Sequence, residues 1–184
     1  MKHAKGETRQ RLLETAKRLF MENGYVQTTV RQIAGEADLS TGTFYHFFRT
    51  KEELARVLCD TASDVYDLLE DLDEKIKDPA FHLEKYLCSY ADFWLSLGWG
   101  LSSQLLLHTL PDMETVTAVQ SVRVYIEAAQ KAGTMNSRLA PKEASEYIFT
   151  NAIGILYKWV ALNGNCDLKA MSEKFSPIIL QGLL

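Results

Sequence analysis

An all-α fold of about nine helices is what this 184-residue sequence predicts, on three observations. Apolar residues recur at three- and four-residue spacings along most of the chain, and no stretch keeps the strict alternation of a half-buried strand. Start and stop signals punctuate those stretches at Asn23-Gly24, Ser40, Thr50, Asp78-Pro79, Pro111, Gly133, Pro141 and Gly164. Four prolines and ten glycines are few for a turn-rich β architecture, while 47% apolar composition supports a buried core.

Residues 1–6 read as a loose tail whose Lys2 and Lys5 could touch phosphates. A first helix runs from about Glu7 to Asn23, with Leu12, Leu13, Ala16, Leu19 and Phe20 as its apolar stripe, and Gly24 suits the left-handed cap. Tyr25 and Val26 lead into the stretch that organises the rest, Thr28–Lys51. From a Thr28-Thr29 cap to about Ala37, residues Val30, Ile33, Ala34 and Ala37 fall at i, i+3, i+4 and i+7, and Thr29 and Gln32 have capping-box spacing. The chain turns at Asp38-Leu39, and Ser40 caps a second short helix, Thr41–Phe48. That helix sends Phe44 and Phe47/Phe48 to a core and leaves Thr41, Gly42, Thr43, Tyr45 and His46 outside. Helix, tight turn and helix with a polar, aromatic-bearing outer face is the helix-turn-helix pattern, whose second helix enters the DNA major groove.

Thr50-Lys51-Glu52-Glu53 has capping-box spacing and opens a long helix, Lys51 to about Lys77, stopped by Asp78-Pro79. Leu54, Val57, Leu58, Thr61, Val65, Leu68, Leu69 and Leu72 form its expected seam. Its far half carries Asp60, Asp64, Asp67, Glu70, Asp71, Asp73 and Glu74 without convergent histidines, so it reads as a solvated face and not as a metal site. Five more helices follow at about Pro79–Gly98, Leu101–Leu110, Asp112–Ala132, Pro141–Asn163 and Asp167–Leu183. Pro141 falls near the first turn of its helix, where a missing N–H costs nothing.

The formal charge of −4 divides unevenly. Residues 1–51 hold nine Lys/Arg against five Asp/Glu, a net of +4, and the remainder holds eleven against nineteen, a net of −8. A basic head on an acidic body fits a nucleic-acid partner for the head alone. Cys59, Cys88 and Cys166 match neither a disulfide framework nor a zinc spacing and read as reduced packing residues. No apolar run follows the basic N-terminal residues, and Asp92 and Lys158 interrupt the most apolar stretches, so a soluble, cytoplasmic protein with no membrane association is expected. Phosphate loops, nucleophile elbows, paired CxxC and HExxH are all absent, which argues against a small helical enzyme and against any cofactor.

Three linked segments, Thr28-Thr29-Val30-Arg31-Gln32-Ile33-Ala34, Ser40-Thr41-Gly42-Thr43-Phe44-Tyr45-His46-Phe47-Phe48 and Thr50-Lys51-Glu52-Glu53-Leu54, closely resemble the DNA-binding signature of the TetR family of bacterial transcriptional regulators. Asp38 stands where that family usually has glycine, and Gly35 sits inside the first helix of the motif. The resemblance implies a three-helix DNA-binding domain over residues 1–50, the start of a linking helix over 51–77, and an effector-binding and dimerisation domain over 78–184. It implies a homodimeric regulator, most naturally a repressor, on a palindromic double-stranded operator. Arg31, Thr41, Gly42 and Thr43 are then the residues for base edges. Thr29, Ser40, Tyr45, His46 and Lys51 are those for phosphates, with Thr28 counted in the same face.

The middle helices are rich in large aromatic side chains, which are core by default and a pocket between helices by the resemblance. A small, mainly hydrophobic effector is expected on Tyr90, Trp94 and Trp99, with Gln104, His108 and Tyr125 as polar partners. The last two helices carry more apolar residues than one core face needs. Ala152, Ile155, Leu156, Trp159, Phe175, Ile178 and Ile179 are therefore expected to pair with a second copy. A DNA-binding protein without an effector, and an adaptor whose head no longer meets DNA, remain open at this point.

Overall fold

The computed structural model describes residues 2–60, 68–108 and 117–184, with the side chains of 2–5, 59–60, 107–108 and 117 left aside. The described residues form helices and no strand: α1 (Lys2–Asn23), α2 (Val30–Glu36), α3 (Thr41–Phe47), α4 (Lys51–Asp60), α5 (Leu72–Lys75), α6 (Pro79–His108), α7 (Thr117–Lys131), α8 (Pro141–Ala161) and α9 (Leu168–Leu180). The all-α class is the one expected from the sequence.

The first helix differs at its start: α1 begins at Lys2, so the expected loose tail is helical. Its residues Lys2, Ala4 and Lys5 are good helix formers. The larger difference lies in the linking helix. The expected continuous helix to Lys77 does not exist, because residues 68–71 form a turn and Asp71 takes a left-handed conformation at φ +50° before the single turn of α5. Like charges at Glu70/Asp73, Glu70/Glu74 and Asp71/Glu74 stand three and four apart and weaken a helix there. Leu69 of the expected seam is correspondingly exposed, while Leu68 is fully buried. Thr61 and Val65 of that seam lie outside the described residues, as do Asp64 and Asp67 of the acidic run and the expected helical start at Asp112.

Two compact units are present, one with bounds Met1–Thr61 and Leu97–Leu110, the other Ala62–Ser96 and Pro111–Leu184. In the first, α1 packs on α2 and α4, and α2 packs on α3. Leu12, Ala16, Leu19 and Phe20 from α1, Ile33 and Ala34 from α2, Phe44 and Phe48 from the α3 region, and Leu54 from α4 are all buried. In the second, α8 packs on both α7 and α9. Its core joins Leu83, Tyr86 and Leu87 of α6 to Val122, Tyr125 and Ile126 of α7, Ile148 and Phe149 of α8, and Leu180 of α9. The expected helix Pro79–Gly98 and the described part of the expected Leu101–Leu110 both fall within α6, which is interrupted where Gly98 takes φ +73° and ψ 157°; residues 109–110 lie outside the described residues. A side chain is strained in that backbone conformation, and Gly98 adjoins the point at which the chain passes from one unit to the other.

The caps follow the sequence closely. Asp38 is left-handed at φ +53° and sits in a Schellman arrangement, in which Leu39 N–H donates to the Ala34 carbonyl at 2.9 Å and Asp38 N–H to the Gly35 carbonyl at 3.1 Å. Asp167 caps α9 by accepting from Ala170 N–H at 2.9 Å. Glu143 accepts from Ala140 N–H at 2.9 Å at the start of α8.

Candidate nucleic-acid interface

Alternation along α3 creates the face. Phe44 and Phe48 turn inward and are at most 1% exposed, with ring centroids 5.7 Å apart. Thr41, Gly42, Tyr45 and His46, at i, i+1, i+4 and i+5, are left on the opposite side and are all exposed. Tyr45 keeps 56% of its surface open and rests the edge of its ring against Phe44, with 5.5 Å between centroids. The buried Phe44 thus fixes both the helix and the ring that stands out from it. Arg9 of α1 lies over Phe48 at 5.3 Å, closing the other side of this aromatic group.

The polar residues of the motif divide into caps and free donors. Thr29 and Gln32 form the full capping box: Gln32 N–H donates to the Thr29 hydroxyl at 3.2 Å, and the Gln32 side-chain oxygen accepts from Thr29 N–H at 2.8 Å. Ser40 accepts from Thr43 N–H at 3.0 Å and shares a hydrogen bond with the Thr43 hydroxyl at 2.9 Å. The Thr29 hydroxyl itself donates to the Gln32 side-chain oxygen at 2.9 Å, and both capping residues are exposed. Arg31 is exposed on α2. Arg18 is engaged with Glu22 at 2.9 Å and with Glu36, ion pairs between exposed groups that raise the guanidinium's already high pKa through the Glu36 hydrogen bond and the nearby Glu22.

Two of the residues expected on this face are placed otherwise. Thr28 is 1% exposed, and its hydroxyl donates to the Leu19 carbonyl at 3.2 Å and the Gly24 carbonyl at 2.9 Å, tying the loop to the last turns of α1. A buried hydroxyl so occupied has no surface to offer DNA. Lys51 is half-buried; its ammonium donates to the carbonyls of Tyr25 at 2.8 Å and Thr28 at 2.9 Å and lies 4.1 Å from the centre of the Tyr25 ring. Burial lowers its pKa, against a smaller opposing pull from Glu52. Sequence reasoning also missed Tyr25 itself, whose phenol donates to Glu52 at 3.0 Å; burial first, then that carboxylate, pushes the phenol's pKa well above the ordinary range. Position just after a helix-ending glycine was the one available sign, and it does not distinguish a packed tyrosine from a loop residue. The Thr50–Glu53 box is half made: Glu53 N–H donates to the Thr50 hydroxyl at 3.1 Å, but the Glu53 carboxylate accepts from Arg49 N–H at 2.7 Å.

In the second unit, Tyr90 and Trp94 come together with ring centroids 6.0 Å apart, and Tyr90 meets Phe149 at 5.5 Å. They line a narrow crevice of about 10 Å³ between α6, α8 and α9, room for a single water. Tyr125 is fully buried with its phenol donating to the Lys75 carbonyl at 2.7 Å, so it is a core residue and not a polar partner for an effector. Trp99, exposed, and Gln104, half-buried, belong to the other unit, and the side chain of His108 lies outside the described set.

The residues expected to pair with a second copy also split. Leu156 and Trp159 of α8 and Ile179 of α9 are buried within the chain, at 2%, 4% and 7% exposure, so they serve its own packing. Ala152, Ile155 and Phe175 are half-buried, and Ile178 is 59% exposed. Ile155, Phe175, Ile178 and Ile179, with Tyr147 and Lys158, line an open groove of about 450 Å³ along α8 and α9.

Residues 12–58 match the family model of the bacterial regulatory proteins of the tetR family. Across 184 aligned residues the chain is 24% identical to the HTH-type transcriptional regulator TtgR of Pseudomonas putida, covering 92% of this chain and 88% of that one. It is 38% identical over 61 residues, a third of its length, to the HTH-type transcriptional regulator HbdR of an Aromatoleum species, and covers 27% of that protein. The fold is similar to that of Thermus thermophilus FadR, a TetR-family transcriptional repressor solved with lauroyl-CoA, at a TM-score of 0.69 and 21% identity over 96% of this chain and 95% of that one. No helix among the described residues is long and apolar enough to cross a membrane.

Proposed function

As the chain belongs to the tetR family of bacterial regulatory proteins, we propose that it is a homodimeric, ligand-responsive transcriptional repressor that acts on a palindromic operator. The observation that carries this reading is the outer face of α3: Thr41, Gly42, Tyr45 and His46 stand exposed from a helix whose other side is locked by Phe44 and Phe48. Thr43, half-buried and hydrogen-bonded to the Ser40 cap, sits at its edge. Gly42 lets the backbone come close to a base pair, threonine methyls suit the thymine methyl, and Arg31 suits guanine O6 and N7. Thr29, Ser40, Tyr45 and His46 set the register on phosphates. Two such heads related by a two-fold axis meet successive major grooves roughly 34–36 Å apart.

The groove along α8 and α9 is where the second copy would sit. Ile178 is its most exposed apolar side chain, and Gly154 on the same groove allows close approach of a partner helix. A mainly hydrophobic effector would act by favouring one arrangement of the heads over another. Tyr90 and Trp94 are its candidate contacts, and their crevice must open to admit anything larger than a water. That small volume favours a second reading, a regulator of the same kind without a small effector.

Selection of duplexes from a random library by the full-length protein, followed by titration of the selected DNA, tests the first reading. A palindromic consensus bound by two copies supports it, and failure to enrich any sequence contradicts it. Addition of acyl-CoA and drug-like apolar compounds to that complex separates the two readings. Release of DNA, with quenching of Trp94 fluorescence, supports an effector, and no response across the panel supports its absence.

A further inference from the structure

The ammonium of Lys51 occupies the space between α4 and the α1–α2 loop. It reaches back 26 and 23 residues to the carbonyls of Tyr25 and Thr28, at 2.8 and 2.9 Å, and the face of the Tyr25 ring covers a further side at 4.1 Å. The next residue of α4, Glu52, accepts from the Tyr25 phenol at 3.0 Å, so two consecutive residues hold one tyrosine at both ends. Tyr25 in turn sets its ring edge against Phe20 of α1, with 5.0 Å between centroids. Thr28 is fixed from the other side by its hydroxyl on Leu19 and Gly24. Thr29, immediately after it, is the N-cap of α2. A continuous set of short contacts therefore runs from the first turn of α4 to the residue that starts the helix-turn-helix.

We infer that Lys51 is a positioning residue for the DNA-binding face, which holds the Tyr25 and Thr28 carbonyls and thereby fixes the N-cap of α2, instead of a residue that binds a phosphate. The inference rests on the reading of the head as a DNA-binding unit. A hydrogen bond from a charged donor is stronger than a neutral one, and here one ammonium serves two carbonyls of the loop. Any change in α4 that withdraws the ammonium releases the loop that α2 starts from. The first turn of α4 is then the place where the head's internal geometry is set.

The test uses the full chain and a duplex selected by the wild-type protein from a random library. Lys51→Met keeps the aliphatic stem and removes the charge. Positioning predicts a loss of affinity of about tenfold with the salt dependence of binding unchanged. A lost phosphate contact instead lowers the slope of log K against log salt by about 0.9 per subunit, and that result overturns the inference. Lys51→Arg provides the second discriminator, since a planar guanidinium cannot place one compact donor group between the two carbonyls but still neutralises a phosphate. Positioning predicts that Arg fails as Met does, and wild-type affinity for Arg overturns it. Amide exchange in the DNA-free protein reads the same contact directly, with faster exchange at Thr29 and Gln32 expected in both variants and unchanged exchange contradicting the inference. If the wild type selects no duplex, the DNA-binding reading falls, and the exchange result still decides the role of Lys51.

Discussion

The phenol of Tyr125 on α7 donates to the backbone carbonyl of Lys75 on α5 at 2.7 Å, across fifty residues of chain. The tyrosine is fully buried, so this bond satisfies both a buried hydroxyl and the carbonyl at the end of a one-turn helix. Tyr125→Phe removes the donor without changing the packing and is expected to lower stability by about 1 kcal/mol. Urea unfolding of the variant checks this, and DNA affinity should not change.

Thr28 makes the same kind of contact in the head. Thr28→Val preserves the shape and leaves the Leu19 and Gly24 carbonyls without their hydroxyl donor. The expected cost is about 1–3 kcal/mol in chemical unfolding. The salt dependence of DNA binding should match that of the wild type, because no phosphate contact has been removed.

Much of this arrangement was legible in the sequence, and the parts that were not share a cause. The Thr29–Gln32 box, the Ser40 cap and the turn at Asp38-Leu39 are local devices, decided by residues a few positions apart, and all stand as the sequence implied. The inward Phe44 and outward Tyr45 follow from helical period alone. Thr28, Lys51, Leu156 and Trp159 were misplaced because their surroundings come from segments distant in the chain, which no local spacing encodes. The break at Asp71 was missed for a different reason: apolar period continued through Leu68, Leu69 and Leu72 and hid the cost of the crowded carboxylates beside them. Tyr125 drew attention as a possible ligand contact because a buried phenol and a pocket phenol look alike until the acceptor is known.

Glu52 gives the head an acid-sensitive contact. Its own backbone amide, then the Tyr25 phenol, hold its pKa below the ordinary 4.5, so the folded state favours the carboxylate. The stabilisation is present above about pH 4.5 and is lost as pH falls through the lower folded value. Glu52→Gln cannot titrate, so its stability should fall less steeply than that of the wild type between about pH 5 and pH 3. Parallel acid limbs in thermal melts of the two proteins would count against the contact.

Ile178 is 59% exposed on the groove of α8 and α9, so a charge there is tolerated by the single chain but not by an apolar partner face. Ile178→Glu should leave helicity and melting of the monomer intact and shift the sedimentation coefficient from dimer to monomer at micromolar concentration. Retention of a tight dimer would place the contact elsewhere. Monomerisation should also weaken binding to a two-half-site duplex by far more than to a single half-site.

Hydroxyl-radical footprinting on the selected duplex, with wild type, Arg31→Ala and Tyr45→Ala side by side, tests the central claim most directly. Two protected patches about one helical turn apart are expected for the wild type. Arg31→Ala should relax the base preference inside each patch at a cost of about 1–3 kcal/mol, and Tyr45→Ala should weaken protection evenly across sequences. Footprints of wild-type strength and sequence choice in both variants would show that DNA is held by some surface other than the α2–α3 face.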